Sequence, residues 1–328
     1  MACSAPDGNG CPGSTLVAQV NYMHIKRTGV LLGLLFCFIS AAFDVYVAFV
    51  IQTLNTLVVI FYCFVSSTLL FLGYSLWKDR VSLFSNVKQG GLLVVWVNVA
   101  VVLNWGGLFY ALRYLEPAVV GVASVACGPA ITLVISRFIK SDSKTTPIEA
   151  VIACLVLVSV AIMLFQSFVG ESGISSTTFE QRIIGITSVV LCALGTVLYT
   201  VFSRKLFAHH WKVEQILAIR NFLMLAMCSV LIIADAGSFR IATEWVAPML
   251  VLVVLGHVLP IYLIQQSIFH LSALHVSFVL LTLPVFTLWL QFMDSRVAFS
   301  MSSVVAVGVI VALLLLLSFA SVRKNSRV

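Results

Sequence analysis

The stretch TGVLLGLLFCFISAAFDVYVAFVI, from Thr28 to Ile51, decides the fold: a single charge, Asp44, interrupts an apolar run that begins just after Lys26 and Arg27. Wound as a helix at about 1.5 Å per residue, such a run reaches past the roughly 30 Å hydrocarbon core of a bilayer. Working outward, runs of the same kind recur at about 57–77, 90–112, 117–139, 148–168, 183–207, 215–234, 245–267, 273–293 and 299–321. The chain is thus expected to be an all-α integral membrane protein with ten transmembrane helices. The strict alternation that a lipid-facing β-barrel requires is absent from these runs.

Composition leads to the same place. Of 328 residues 61% are apolar, and Lys, Arg, Asp and Glu together make up 9%, about a third of the roughly 25% usual in soluble domains. Charged residues are almost never buried without partners, and too few are present to cover a soluble globule. The net charge of +7 speaks for topology rather than for nucleic acid. With the amino terminus inside, fourteen of the nineteen Lys and Arg fall on the inner side and four on the outer, with Arg220 inside helix seven. By the positive-inside rule both termini are cytoplasmic, in a plasma or bacterial inner membrane. Six cysteines lie in apolar runs, where a thiol behaves as a small hydrophobe. Cys3 and Cys11 sit in a polar tail without a CxxC or a histidine cluster, so neither metal nor cofactor nor disulfide framework is expected.

Lys26 and Arg27, Leu31 to Ile39 and the small residues Ser40, Ala41 and Ala42 have the outline of a signal peptide. The basic pair stands too far into the chain and the apolar run continues to Ile51, so the first helix is expected to be retained. The organisation read from the sequence is a cytoplasmic tail (1–27), five helices (28–168), five more (183–321) and a short cytoplasmic tail (322–328). An odd number of helices per half turns the second half upside down relative to the first. A shift of 155 residues pairs Pro129 with Pro284, Thr132 with Thr287, Leu133 with Leu288, Ala118 with Ala273 and Cys37 with Cys192. Inverted repeats of this kind build secondary transporters, whose site lies between the halves.

Ala111-Leu112-Arg113-Tyr114-Leu115-Glu116-Pro117-Ala118-Val119-Val120, continuing to Gly128-Pro129 and Arg137, resembles the third-to-fourth helix signature of the EamA-type drug/metabolite transporter superfamily. The stretch Ile268 to His275 followed by Leu283-Pro284-Val285-Phe286 is similar. The resemblance implies a ten-helix bundle of two inverted five-helix repeats. Its central cavity would be lined mainly by helices one, three, four, six, eight and nine and would carry small organic solutes. Members often carry an Arg early in the second helix of each half. Arg220 matches in the second half, and Tyr62 stands near the equivalent place in the first.

No GxxxxGK[ST], GxSxG, HExxH or CxxC occurs, so the chain is expected not to be an enzyme. The informative residues are polar groups at membrane depth, where insertion of an Asp or Arg costs about 2.5–3.5 kcal/mol. Asp44, Asn98, Trp105 and His257 are the leading candidates for the substrate or proton site. Asn98 and Trp105, seven residues apart, share a helix face, and His257 can change charge near neutral pH. Asn104, Ser124, Tyr199, Arg220, Tyr262 and Gln265 are secondary candidates for cavity or gate. The long stem of Arg220 is expected to snorkel to the cytoplasmic headgroups. Pro129 and Pro284 are expected to kink helices four and nine.

The sequence therefore reads as a secondary transporter of a small organic metabolite, such as an amino acid, working by alternating access. A carrier of nucleotide sugars or other phosphorylated metabolites and a non-transporting scaffold are the alternatives. Expected partners are the solute, membrane lipid and, in one reading, a second copy of the chain; nucleic acid is not expected.

Overall fold

The computed structural model describes residues 12–138, 147–169, 177–235, 237–271, 276, 279–292 and 301–325, and every regular element among them is a helix. In chain order these are α1 (Pro12–Thr53), α2 (Thr56–Val101), a π-helical segment (Val102–Gly106), α3 (Gly107–Tyr114), α4 (Pro117–Phe138), α5 (Pro147–Val169) and α6 (Phe179–Ala208). There follow α7 (Val213–Ile219), α8 (Phe222–Ala234), α9 (Thr243–Val251), a second π-helical segment (Leu252–Val258), α10 (Leu259–His270), α11 (Thr282–Gln291) and α12 (Met301–Asn325). Lys140, Lys144, Arg296 and Arg327, which are among the basic residues that orient the chain, lie outside the described residues, as do His275 of the second resembling stretch, the shift partner Ala273 and the tail residues Cys3 and Cys11.

Among the described residues, six stretches are long and apolar enough to cross a membrane: Arg27–Thr53, Thr56–Tyr114, Ala150–Val169, Phe179–Ala208, Val213–Ala234 and Thr243–His270. Shorter apolar helices occupy Pro117–Gly128 and Val304–Leu316. The long stretch Thr56–Tyr114 holds two of the runs read from the sequence. Its helix breaks at Asp79 (φ −162°, ψ 68°) and Gly90 (φ −101°, ψ 16°), where the charges between those runs lie.

Local chemistry sets the helix ends. Asn55 caps α2 by accepting from the Leu57 N–H at 2.9 Å, and Thr178 and Gln181 form a capping box on α6. After α6, His210 adopts a left-handed φ of 61°, and the Trp211 N–H turns back to the Leu206 carbonyl at 3.2 Å. Leu115 and Leu271 end α3 and α10 in the same way. Each is extended, and each donates its N–H four residues back, to Ala111 and Ser267 respectively.

The packing of the two halves is reciprocal. Helix α1 lies against α10 and α11, and α6 lies against α3 and α4; α2 packs on α7 and α8, and α5 on α12. Close approaches repeat in the same sense. A Cβ on Gly29 would meet Leu271 and His270, and one on Gly185 would meet Leu115 and Tyr114. Gly185 stands 156 residues after Gly29, and Leu271 stands the same distance after Leu115.

Solvent preference is inverted relative to a soluble protein. Leu31, Leu69, Leu92, Val230, Ile233 and Leu250 are exposed, whereas Asp44, Glu116, Arg220 and His257 are buried. Two ion pairs at the charged break in α2 tie the halves together: Lys78 with Glu214 at 3.0 Å and Lys212 with Asp79 at 3.1 Å.

Candidate functional site

Helix α6 organises the interior. Cys192, Thr196, Tyr199 and Ser203 recur at spacings of four, three and four, so they share one face. That face meets polar groups from both halves. Thr196 donates to the Asn104 amide oxygen at 3.2 Å and Cys192 to the same atom at 3.5 Å. The approach is at backbone distance: a Cβ on Gly195 would stand 2.3 Å from the Asn104 nitrogen, and one on Gly107 would stand 2.5 Å from the Ser188 carbonyl. Asp44 on α1, 3% exposed, lies within electrostatic reach of Cys192 and forms no ion pair among the described residues.

One to two turns along α6, Tyr199 is the centre of a second cluster. Its hydroxyl accepts from the Arg220 Nη1 at 2.6 Å and donates to the Gln265 amide oxygen, and the guanidinium lies 4.9 Å from its ring centroid. Arg220 is 1% exposed. It does not snorkel, because it stands where α7 and α8 are interrupted, and its side chain turns to α6 and α10 rather than along the helix to the headgroups.

Asn98 explains that interruption. Its amide nitrogen donates to the Ile219 carbonyl at 2.9 Å, and its oxygen accepts from the Leu223 N–H at 3.1 Å. In an unbroken helix those two backbone groups would bond to each other. The inserted amide takes the place of that bond, as side chains do at helix kinks. A further bond to the Val94 carbonyl at 2.9 Å uses the remaining donor of Asn98. Asn98 is thus engaged with backbone, while Trp105, expected on the same face, joins an aromatic group. Five residues of π-helix, Val102–Gly106, separate the simple spacing of the two from its helical meaning.

Trp105 packs on His257, ring centroids 4.9 Å apart, and on Phe43 and Phe64 at 6.3 and 6.0 Å. His257 also meets Phe64 at 4.5 Å. It belongs to the second π-helical segment, which ends just before Pro260, a residue with no N–H to continue a helical ladder. His257 Nε2 stands 3.5 Å from the Ser67 hydroxyl, which also receives the Asn221 amide at 3.2 Å. Arg220 lies within electrostatic reach of His257.

The other predicted residues stand apart from these clusters. Tyr262 is exposed, stacks on Phe71 at 6.2 Å and accepts from Gln266 at 2.9 Å. Ser124 bonds the Gly121 carbonyl of its own helix at 3.1 Å. Pro284 lies in the first turn of α11, where its missing N–H costs no helical bond. Pro129 lies within α4, which continues to Phe138.

Sequence reasoning missed several members. Cys192, Thr196 and Ser203 could have been found as a polar stripe of helical period. Asn221, Ser67 and Thr68, joined at 3.2 and 3.1 Å, meet between α2 and the α7–α8 interruption and left no local signal. Buried Glu116 receives the amide of Gln291, whose oxygen accepts the Ala118 N–H at 2.9 Å. That set ties the α3–α4 junction to the end of α11. Among the described residues no group of three or more His, Cys, Asp and Glu could hold a metal ion.

Comparison with known proteins bears on fold and family. No curated protein matches the chain. A solved crystal structure is similar over 93% of this chain and 99% of its own length, with a TM-score of 0.57 and 17% identity. At that identity the likeness shows the fold alone. Residues 27–165, which hold Asp44, Asn98 and Trp105, match the model of the EamA-like transporter family. That segment is similar to the EamA-like transporter family, and the several apolar helices mark the chain as a multi-pass membrane protein.

Proposed function

We propose that this chain is a secondary transporter that moves a small organic metabolite by alternating access between two inverted halves of five helices. The observation that carries the reading is the buried polar face of α6. It meets Asn104 from the first half and Arg220 and Gln265 from the second, with Asp44 within electrostatic reach of Cys192, inside a bundle whose outside is apolar. Polar and ionisable groups at such depth face protein or a solute path. Reciprocal packing of α1 on α10 and α11 and of α6 on α3 and α4 supports the inversion, and the fourteen-to-four division of basic residues supports cytoplasmic termini.

In this reading the aromatic wall of Phe43, Phe64 and Trp105 receives the apolar part of the solute, and Asp44 is the group that takes up and releases a proton. A phosphorylated cargo would call for several cations around the path. Among the described residues Arg220 is the one buried cation, which favours a singly charged or zwitterionic solute.

The test is flux into proteoliposomes. Saturable uptake of solute is expected, and Asp44→Asn is expected to reduce pH-gradient-driven uptake several-fold while leaving solute exchange less affected. Unchanged gradient-driven uptake in the folded variant removes Asp44 from coupling, and absence of saturable flux in the parent protein removes the transporter reading.

A further inference from the structure

Arg220 has two nitrogens to spare. Nη1 is used by Tyr199 at 2.6 Å, while Nε and Nη2 find no hydrogen-bond partner. Those two nitrogens lie on one edge of the guanidinium, and that edge offers a pair of parallel N–H groups of the spacing a carboxylate accepts. The Gln265 amide nitrogen, on the residue that shares Tyr199 with Arg220, is likewise unpartnered and fully buried. So is the His257 Nδ1.

Charge makes the same demand. Arg220 is 1% exposed, and the ion pairs among the described residues, Lys78–Glu214 and Lys212–Asp79, do not include it. A buried charge is costly unless paired and hydrogen-bonded. The ring of Tyr199 offsets part of that cost. Water could satisfy the N–H groups, but it would leave the positive charge uncompensated. The setting is also one in which discontinuous membrane helices hold anions: Arg220 and Asn221 lie at the interruption that leads into the amino end of α8.

We propose that the free edge of Arg220, assisted by the Gln265 amide, receives the carboxylate of the transported solute. This rests on the transporter reading above and narrows its cargo to compounds bearing a carboxylate. Tyr199 is then a positioning residue: it holds the Nη1 side of the guanidinium and the oxygen end of Gln265, so that both remaining donors are left for the ligand. The apolar part of the solute extends toward His257 and Trp105, whose rings lie 4.9 Å apart.

The experiment uses full-length protein in proteoliposomes bathed in a protein-free metabolite extract, with accumulated compounds identified by mass spectrometry against empty liposomes. The expected result is that the compounds accumulated bear a carboxylate and that their methyl esters fail to compete, a readout that needs no variant. Arg220→Gln is expected to lower accumulation about ten-fold or more, since hydrogen bonds to charged groups are the strong ones. Gln265→Leu, which leaves the arginine in place, is expected to lower it less. Accumulation of compounds without a carboxylate, or equal competition by the methyl esters, overturns the carboxylate assignment and leaves the transporter reading standing. Absence of any accumulation overturns both.

Discussion

Asn98 does at the scale of one residue what a cofactor-binding loop does elsewhere: it breaks a helix where a side chain has to be presented. Its amide bridges the Ile219 carbonyl and the Leu223 N–H, and the gap so opened carries Arg220. A mere cavity-lining amide would bind solute and contribute little to folding. An amide that satisfies two backbone groups should do the reverse. Asn98→Ala is expected to destabilise the purified protein by about 1–3 kcal/mol, the cost of orphaning buried polar groups. Asn98→Asp, which keeps the acceptor for Leu223 but not the donor for Ile219, should fall between. Thermal or denaturant unfolding in detergent checks this, and an Asn98→Ala protein as stable as its parent would return the residue to the solute path.

Among the elements, the contact of α6 with α3 and the first π-helical segment is the closest to backbone on backbone. A Cβ at Gly195 would stand 2.3 Å from the Asn104 nitrogen and 2.7 Å from its Cα, atoms that belong to a helix and have little room to move. Gly195→Ala should therefore cost about 1–3 kcal/mol through overpacking. Gly308→Ala, where no atom stands within 4 Å, should be neutral or gain about 0.5–1 kcal/mol from helix propensity. Comparing the two variants by thermal unfolding separates packing from propensity; equal effects would mean that the α6 contact is loose.

The same contrast explains what the sequence discloses about elements and what it hides. Apolar runs mark where helices lie because lipid imposes length and composition on each run separately. Asp44, Arg220 and His257 stand out because an ionisable residue in such a run is expensive. The π-helical winding at Val102–Gly106, the α7–α8 interruption and the Tyr199–Arg220–Gln265 set depend on which helix faces which. Neither spacing nor composition carries that. Hence the reading of Asn98 and Trp105 as one face, valid for an α-helix, did not foresee Asn98 turned to the backbone and Trp105 to His257.

For the molecule as a whole, reciprocal packing and the proposed inversion together make a demand that neither makes alone. Gly29 lets α1 approach Leu271 and His270 at the end of α10, and Gly185 lets α6 approach Leu115 and Tyr114 at the end of α3. In the proposed orientation, with both termini inside, the first contact would lie at the inner face and the second at the outer. A methyl group at Gly29 would stand 2.8 Å from Leu271 Cγ, and one at Gly185 would stand 2.8 Å from Leu115 Cγ. Each wedges one end of the bundle apart while sparing the other. Gly29→Ala should then bias the protein toward opening on the side of its termini, and Gly185→Ala toward opening on the opposite side. Cys192, buried beside Asn104, reports which: a membrane-impermeant thiol reagent applied from each side, with labelling read on the peptide that holds Cys192, should favour opposite sides in the two variants. Labelling that shifts toward the same side in both would show that equivalent contacts are not related by inversion, and alternating access between upside-down halves would have to be abandoned for this chain.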